Sequence, residues 1–579
     1  MQARTRISIA LVGAAVASTI LSAADYTITV SQDRLNNALN EPQNWLLMNG
    51  DYGSTRYSKL TQINRDNVKN LRMAWAMALG GMQDVGQNGP ENEVNPLIDN
   101  GFMYTTDGWG TIYKIDARDG DRGKFVWVAD PGVQHEGNAP RTRGIALWQD
   151  RVLANLPDGR VIAINRDNGE IVWDKKIAKK NEFGGQERFF TAPIVADGKV
   201  LVQNGAGDGG TRGWIAALDV KTGDELWRFY TVPKPGDPGS ESWKDDHSAW
   251  KTGGGGIWQT GSYDPVQKLY IVGTGNPYPI YDPQFRPGDN LYTNSVIAVN
   301  VDTGKLAWYF QYTPGDYHDY DEVGPQLLID TKINGEDRKV LAHFGRNGIF
   351  YDLDRTNGSY IQSGQYVGKL NWTKGLDPKT GKPLEYDPTK SLQTYAIGVI
   401  NRAGATATTC PNIQGGTNFF PTGYNPTLGI AYAVTIEGCS DLATKTIAPA
   451  DVHPGQIFQA GTSTNNGVQT GTVTAIDVAT GKSLAQQPTP FPMYSGVMTT
   501  PDLVWAGSLD GTFAAYDAKT LQVKWSMNVG TAFQGSPIAF NAGGKEYIAV
   551  VGGGPGLATF GHPELTSKST ANVVWVFGL

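Results

Sequence analysis

The sequence predicts an all-β chain wound into an eight-bladed β-propeller around an axial channel, and three observations carry that expectation. The 579 residues include Gly 72 and Trp 16, with 10% aromatic and only 18% charged side chains. That profile suits many tight turns and buried rings, not a helical bundle. One phrase recurs: an apolar pair, Asp or Asn, a short variable run, Gly, then a hydrophobic stretch ending in Trp. Its copies sit about 46 and 54 residues apart, with larger gaps where insertions lie, which is a blade period. A blade cannot bury its faces alone, so the array has to close into a ring.

At the start of the chain, Arg4 and Arg6 precede an apolar run from Ile7 to Leu21, and Ser22-Ala23-Ala24 supplies small residues for cleavage. Residues 1–24 therefore read as an export signal and residues 25–579 as a single propeller domain. The apolar run is short for a bilayer span and nothing similar follows, so no transmembrane segment is expected in the mature chain. A bacterial periplasm is the expected location. Net charge −7, spread without long blocks, leaves no electrostatic footprint for nucleic acid.

The repeats come next. They read Ile115-Asp116…Gly120…Trp127, Ile164-Asn165…Gly169…Trp173, Leu218-Asp219…Gly223…Trp227 and Val299-Asn300…Gly304…Trp308. Tyr516-Asp517…Trp525 has Leu521 in place of the glycine, and Leu353-Asp354…Gly358 and Ile476-Asp477…Gly481 are weaker copies. Each is a strand, a tight turn and another strand. Gly205-Ala-Gly207-Asp-Gly-Gly210 matches a dinucleotide fingerprint, but that motif must open a helix. Here the chain runs on as Trp214-Ile-Ala-Ala-Leu-Asp219, another blade strand, so a nicotinamide site is rejected. The six histidines show no His-Glu-x-x-His and no i, i+4 pair, which argues against histidine-held zinc.

Thr313-Pro-Gly-Asp-Tyr-His-Asp-Tyr-Asp-Glu322 gathers Asp316, Asp319, Asp321 and Glu322 among aromatic rings. Alone it reads as a solvated acidic turn. With distant partners it becomes an oxygen-rich site for a hard cation, because carboxylates this close shift one another's pKa unless a cation relieves them. Cys410 and Cys439 are the only cysteines; in an exported chain they most simply pair, stabilising by about 3.5 kcal/mol, with two free buried thiols as the alternative. No Cys-x-x-Cys-His is present, so no covalently attached haem is expected.

The repeats and Thr313–Glu322 together resemble the quinoprotein alcohol dehydrogenases, eight-bladed propellers with pyrroloquinoline quinone (PQQ) and a metal ion on the axis. The resemblance runs from about Asn44 to Phe577 and is most specific at Gly253–Asn276, Thr313–Asp321 and His343–Tyr351. The spacing of the two cysteines also fits that family's pattern. The resemblance implies that Asp319 is the catalytic aspartate and Asn276 a metal ligand. It places Arg346 beside the quinone oxygens, where a planar charged fork suits them, and Trp258 as an aromatic floor under the flat cofactor. Glu93, Arg143, Thr191 and Asn418 fall on positions that hydrogen-bond the cofactor. Asp208 stands where the family has a metal-binding glutamate, one methylene longer. The adjacent-cysteine lid of the family should fall at Gly137-Asn138 and is missing, so a different group has to cover the quinone. An acid at Asp321 resembles the lanthanide-using members, and the metal set is then Asp208, Asn276, Asp319 and Asp321. Calcium is the expected ion and a lanthanide the alternative.

The chemistry these roles imply is hydride transfer from an alcohol to PQQ, with Asp319 taking the hydroxyl proton and the metal acting as a Lewis acid. The substrate is expected to be larger than methanol, and the electrons to leave to a separate cytochrome c. The rival readings are a non-catalytic envelope scaffold, which needs no axial acids, Trp258 or Arg346, and a propeller hydrolase using Asp319 with Asp321.

Overall fold

The computed structural model describes residues 29–81, 91–138, 141–395, 406–457, 459–554, 560–567 and 571–579. The expected export signal, residues 1–24, lies outside them. Among the described residues the single α-helix is the five-residue Gln32–Asn36, and no helix is long and apolar enough to cross a membrane. Nearly everything else is antiparallel strand. Seven sheets have four strands, and an eighth has six, because Thr406–Thr409 and Glu437–Thr444 are added to a four-stranded core.

The recurring phrase explains how one sheet meets the next. In the sheet Ile145–Trp148, Arg151–Asn155, Arg160–Asn165 and Ile171–Lys176, the third strand ends at Asn165. The turn then passes through Gly169 at φ +79°. The fourth strand carries Trp173, whose indole N–H donates to the Val220 carbonyl in the following sheet at 3.2 Å. Trp127 donates likewise to Arg166 at 3.0 Å and Trp227 to Val301 at 2.9 Å. Each indole lies on the turn glycine of its neighbour: a Cβ at Gly223 would come 2.7 Å from the Trp173 ring, and one at Gly304 2.7 Å from Trp227. Glycine is therefore needed twice over, for positive φ and for the ring above it. Leu521 is the instructive exception. It also has positive φ (57°), but the fourth strand before it, Lys482–Thr489, has no tryptophan, so no indole demands the space.

One sheet joins the two ends of the described chain. Arg72–Ala78 pairs with Val573–Gly578, from Arg72 opposite Gly578 to Ala78 opposite Val573, beside Lys545–Gly552 and Ile538–Ala542. In that sheet Glu546 is 3% exposed; its carboxylate accepts the Ile63 N–H at 3.0 Å and its own N–H donates to the Gln62 side chain at 2.9 Å. Burial pushes this carboxyl up to about 7 from an ordinary 4.5, with nearby Asp502 adding to the rise against two backbone hydrogen bonds. The folded protein thus holds a proton that the unfolded chain releases near pH 4.5, so stability falls as pH rises towards 7 and stays lost above it. Glu546→Gln should therefore raise stability by about 1–3 kcal/mol at pH 8 and by nothing near pH 4.5. Thermal unfolding of both proteins at the two pH values checks this; an equal gain at both would place the effect elsewhere.

Candidate active site

The strand Leu306–Gln311 delivers the chain into Thr313–Glu322, and the structure divides the four acids of that loop between two jobs. Asp316 is a staple. Its carboxylate accepts the N–H of His318 and of Tyr320, both at 3.0 Å, and the Asn294 side-chain amide at 3.2 Å. The His318 ring also bonds it, at 3.0 Å, and stacks between Tyr317 and Tyr320. Burial would raise the Asp316 pKa, but the His318 bonds and the two backbone N–H groups outweigh it and hold it below the usual value. Glu322 supports the neighbouring strand: one carboxyl oxygen lies 2.9 Å from His343 Nε2 and accepts the Arg346 N–H at 3.1 Å. The Glu322–His343 contact has ion-pair geometry, yet burial drives both groups neutral, raising Glu322 well above the carboxylate range and lowering His343 to about 3.

Asp319 and Asp321 turn the other way, into a cavity of about 140 Å³. Asp319 sits at φ +70°, a conformation costly for a residue with a Cβ, which here aims its carboxylate at the axis. Asp321 accepts the Asn276 N–H at 2.6 Å and pairs with the Arg346 guanidinium, whose other amine lies 3.3 Å from Asp319. Asp208 comes in from the turn Gly207–Gly209. The turn approaches because a Cβ at Gly207 would fall 2.5 Å from the Gly256 nitrogen, and one at Gly275 2.5 Å from Asp321 itself. The fingerprint-like Gly205–Gly210 therefore serves close backbone approach to Gly253–Gly256, and no α-helix opens there.

Asp208, Asp319 and Asp321 each offer an oxygen within 4.8 Å of the others. Burial raises all three, Asp319 well above its usual range and Asp321 to about 7, with Arg346 opposing; neighbouring carboxylates add to the rise at Asp319 and Asp321, while Asn276 and Arg141 oppose it at Asp208. Arg346, with Arg141 acting on Asp208 alone, does not balance three carboxylates. Asn276 Oδ1 and one oxygen of Asp319 are also buried without a hydrogen-bond partner among the described residues. An all-oxygen, under-compensated set with no His or Cys fits a hard cation.

The rest of the cavity fits a flat anionic cofactor. Trp258 supplies an indole face, with the Arg143 guanidinium 5.2 Å and the Arg346 guanidinium 5.9 Å from its ring centre. Arg143 pairs with Glu93 at 2.6 Å and donates to the Phe190 carbonyl at 3.1 Å and to the Trp258 carbonyl. Arg346 Nε donates to the Ile413 carbonyl at 2.9 Å. That carbonyl follows Cys410, which is disulfide-bonded to Cys439. On the same loop Asn418 donates to the Gln414 carbonyl at 2.8 Å, and the Gln414 side chain accepts the Tyr494 hydroxyl at 2.8 Å.

Of the residues singled out from sequence, Glu93, Arg143, Asp208, Trp258, Asp319, Asp321, Arg346 and Asn418 line this one cavity. Asn276 touches it through Asp321. Thr191 does not line it; its hydroxyl accepts the Asn155 amide at 3.3 Å. Arg141, Phe190, Gln414, Phe419, Tyr494 and Gln534 line the cavity without having been marked by any motif. Gly137 and Asn138 lie instead in an open groove of about 660 Å³ with Lys176, Lys180, Arg188 and Gly455. The groove abuts the cavity, since the Gly455 N–H donates to the Gly209 carbonyl next to Asp208 at 2.7 Å.

Residues 45–363 match the PQQ family described as glucose/ethanol/alcohol dehydrogenase, beta-propeller domain. The chain is 32% identical to the quinoprotein alcohol dehydrogenase PedH of Pseudomonas putida, over 97% of this chain and 96% of that protein. It is 31% identical to the lanthanide-dependent methanol dehydrogenase of Methylacidiphilum fumariolicum, over 92% and 88% of the two chains. Among solved structures, the quinohemoprotein alcohol dehydrogenase of Comamonas testosteroni superposes with a TM-score of 0.85 at 30% identity, covering 95% of this chain and 82% of that one.

Proposed function

The chain belongs to the PQQ-dependent quinoprotein alcohol dehydrogenase family, and from that premise we propose the following for its architecture, site and substrate. It is a PQQ-dependent alcohol oxidoreductase that uses calcium or a lanthanide. The eight sheets are eight blades of one closed propeller comprising residues 25–579, exported to the periplasm by residues 1–24. Asp208, Asn276, Asp319 and Asp321 hold the ion, and Glu93, Arg143, Trp258, Arg346 and Asn418 hold the PQQ, with Thr191 one layer back against Asn155. The observation that carries this reading is the convergence of three carboxylates and Arg346 beside the Trp258 indole.

Bound there, PQQ supplies a two-electron acceptor and the ion a Lewis acid beside it. The protein's own part is positioning and proton transfer. Trp258 and the two guanidiniums near its ring orient a planar anion. Asp319, aimed by its left-handed backbone and steadied by Arg346, accepts the substrate hydroxyl proton at its carboxylate. Burial first, and then the neighbouring carboxylates, oppose its ionisation against Arg346, and a cation held in the cluster would favour the carboxylate form.

The substrate is an alcohol larger than methanol, bulky or secondary, oxidised to an aldehyde or ketone. The groove at Gly137-Asn138, several times larger than the cavity it abuts, supports that reading. Calcium is the first reading, and the third carboxylate, Asp321, supports a trivalent ion as the second. Electrons pass to a separate cytochrome c, because the chain has no Cys-x-x-Cys-His of its own. The purified protein given PQQ, metal and alcohol should reduce an artificial dye and leave NAD untouched. Steady NADH production without PQQ would overturn the assignment, and no bound quinone absorbance would favour a scaffold.

A further inference from the structure

The groove that opens at Gly137 and Asn138 has a lining unlike that of the cavity it abuts. Among the described residues its wall is made of side-chain amides, charged groups and glycine, with Pro454 the one apolar side chain and no aromatic ring. Such a wall offers little to a hydrocarbon chain or ring. Its charges are Lys176, Lys180 and Arg188 against Glu136 and Asp158. The Asp158 carboxylate is already held by Arg160 at 2.8 Å, and Lys176 donates to the Asp158 carbonyl. Lys180 and Glu136 are exposed.

Arg188 is placed differently. Its backbone is tied to the cavity wall: its N–H donates to the Asn204 side chain at 3.1 Å, and its carbonyl accepts the Gly205 N–H at 3.0 Å. Gly205 lines the cavity, and so does Phe190, two residues after Arg188. The Arg188 side chain lines the groove, where one guanidinium amine donates to the Gly137 carbonyl at 2.8 Å. That partner is neutral. Arg188 is partly buried, and burial lowers its pKa with no carboxylate among the described residues opposing the shift. Arginines withdrawn from water usually face a carboxylate or phosphate, and the planar fork suits a carboxylate best in its bidentate form. We propose that the groove admits alcohols that carry a carboxylate, with Arg188 pairing that carboxylate while the hydroxyl enters the cavity. The two spaces adjoin where the Gly455 N–H meets the Gly209 carbonyl beside Asp208. The cationic side of the groove holds the anionic end back, so the hydroxyl leads. The reaction is the alcohol oxidation proposed above, on which this inference rests, with the carboxylate a spectator.

The test compares ω-hydroxycarboxylates with their methyl esters, which keep length and hydroxyl but lose the charge. Dye-linked turnover is measured on the full-length protein loaded with PQQ and metal. The parent should prefer the free acid in kcat/KM by about tenfold or more, chiefly through KM, and added salt should erode the preference. Arg188→Gln should lower kcat/KM for the acid far more than for the ester, again through KM, with PQQ affinity by dialysis at the parental value. Arg188→Lys, which keeps charge without the fork, should retain part of the preference. A parent that treats acid and ester alike overturns the proposal, even should Arg188→Gln fail to fold. An Arg188→Gln variant that keeps the preference overturns it too. Weakened PQQ binding in that variant would move Arg188 to the cofactor, and a loss seen only with cytochrome c as acceptor would make the groove an electron-transfer surface; either outcome overturns the substrate assignment. A parent that oxidises neither acid nor ester nor any simple alcohol would instead sink the oxidoreductase reading itself.

Discussion

Asp319→Asn should lower kcat by roughly 10²–10⁴-fold while leaving the fold intact. The amide keeps an oxygen towards the cation cluster but cannot accept a proton from a hydroxyl. The other acids of the cavity have partners of their own: Glu93 pairs with Arg143, and Asp208 is hydrogen-bonded by Asn276. Asp321 is tied to the Asn276 N–H and to Arg346, and Glu322 faces His343 on the other side of the strand. The fold should survive because the loop is held by Asp316, not by Asp319. The measurement is dye-linked turnover with PQQ and metal occupancy determined on the same sample. A variant fully loaded with both that keeps more than about a tenth of parental kcat would remove Asp319 from the role of base.

Asp321→Ala should weaken lanthanide-supported activity at least about tenfold more than calcium-supported activity. Removing one carboxylate costs a trivalent ion more attraction than a divalent one, and the shielding that drives the Asp321 pKa to about 7 makes the difference larger than in water. A tenfold ratio corresponds to about 1.4 kcal/mol, small beside the attraction of a buried carboxylate for a cation at contact. The structure also offers the competing outcome, since Asp321 pairs with Arg346. Were that its sole task, its removal would disturb Arg346 under either metal and leave the ratio unchanged. An unchanged ratio at saturating metal therefore leaves calcium alone.

How much of this was legible in the chain depended on whether the cause was local. The phrase ending in tryptophan is legible because Trp173 and Gly223 answer to each other across neighbouring sheets, and each imposes a residue type. Leu521 looked like a lapse in the repeat until the strand before it proved to carry no indole. The acidic loop was legible as a cluster, but not its division. Nothing in the run of letters says that Asp316 and Glu322 face away from Asp319 and Asp321; that follows from the His318 and His343 contacts. Arg141, Phe190 and Tyr494 had no signal at all, because an arginine, a phenylalanine or a tyrosine in the segments between blade strands looks the same whether it faces a neighbour or the axis. Thr191 was placed by resemblance and stands one layer back, against Asn155.

The sheet that pairs Arg72–Ala78 with Val573–Gly578 sets an order of events during biogenesis. Its partners are some five hundred residues apart in the chain, so this contact is among the last that a newly delivered polypeptide can make. The lining of the cavity has the same character, running from Glu93 to Gln534. A chain released before Val573 would own most of the acids and arginines, yet lack the clasp that holds their supports at fixed spacing. A cofactor that needs this lining at fixed spacing would bind the finished molecule in preference to an unfinished one. Saturating PQQ at a hundred times its Kd would add about 2.7 kcal/mol to the completed ring and nothing to an open one.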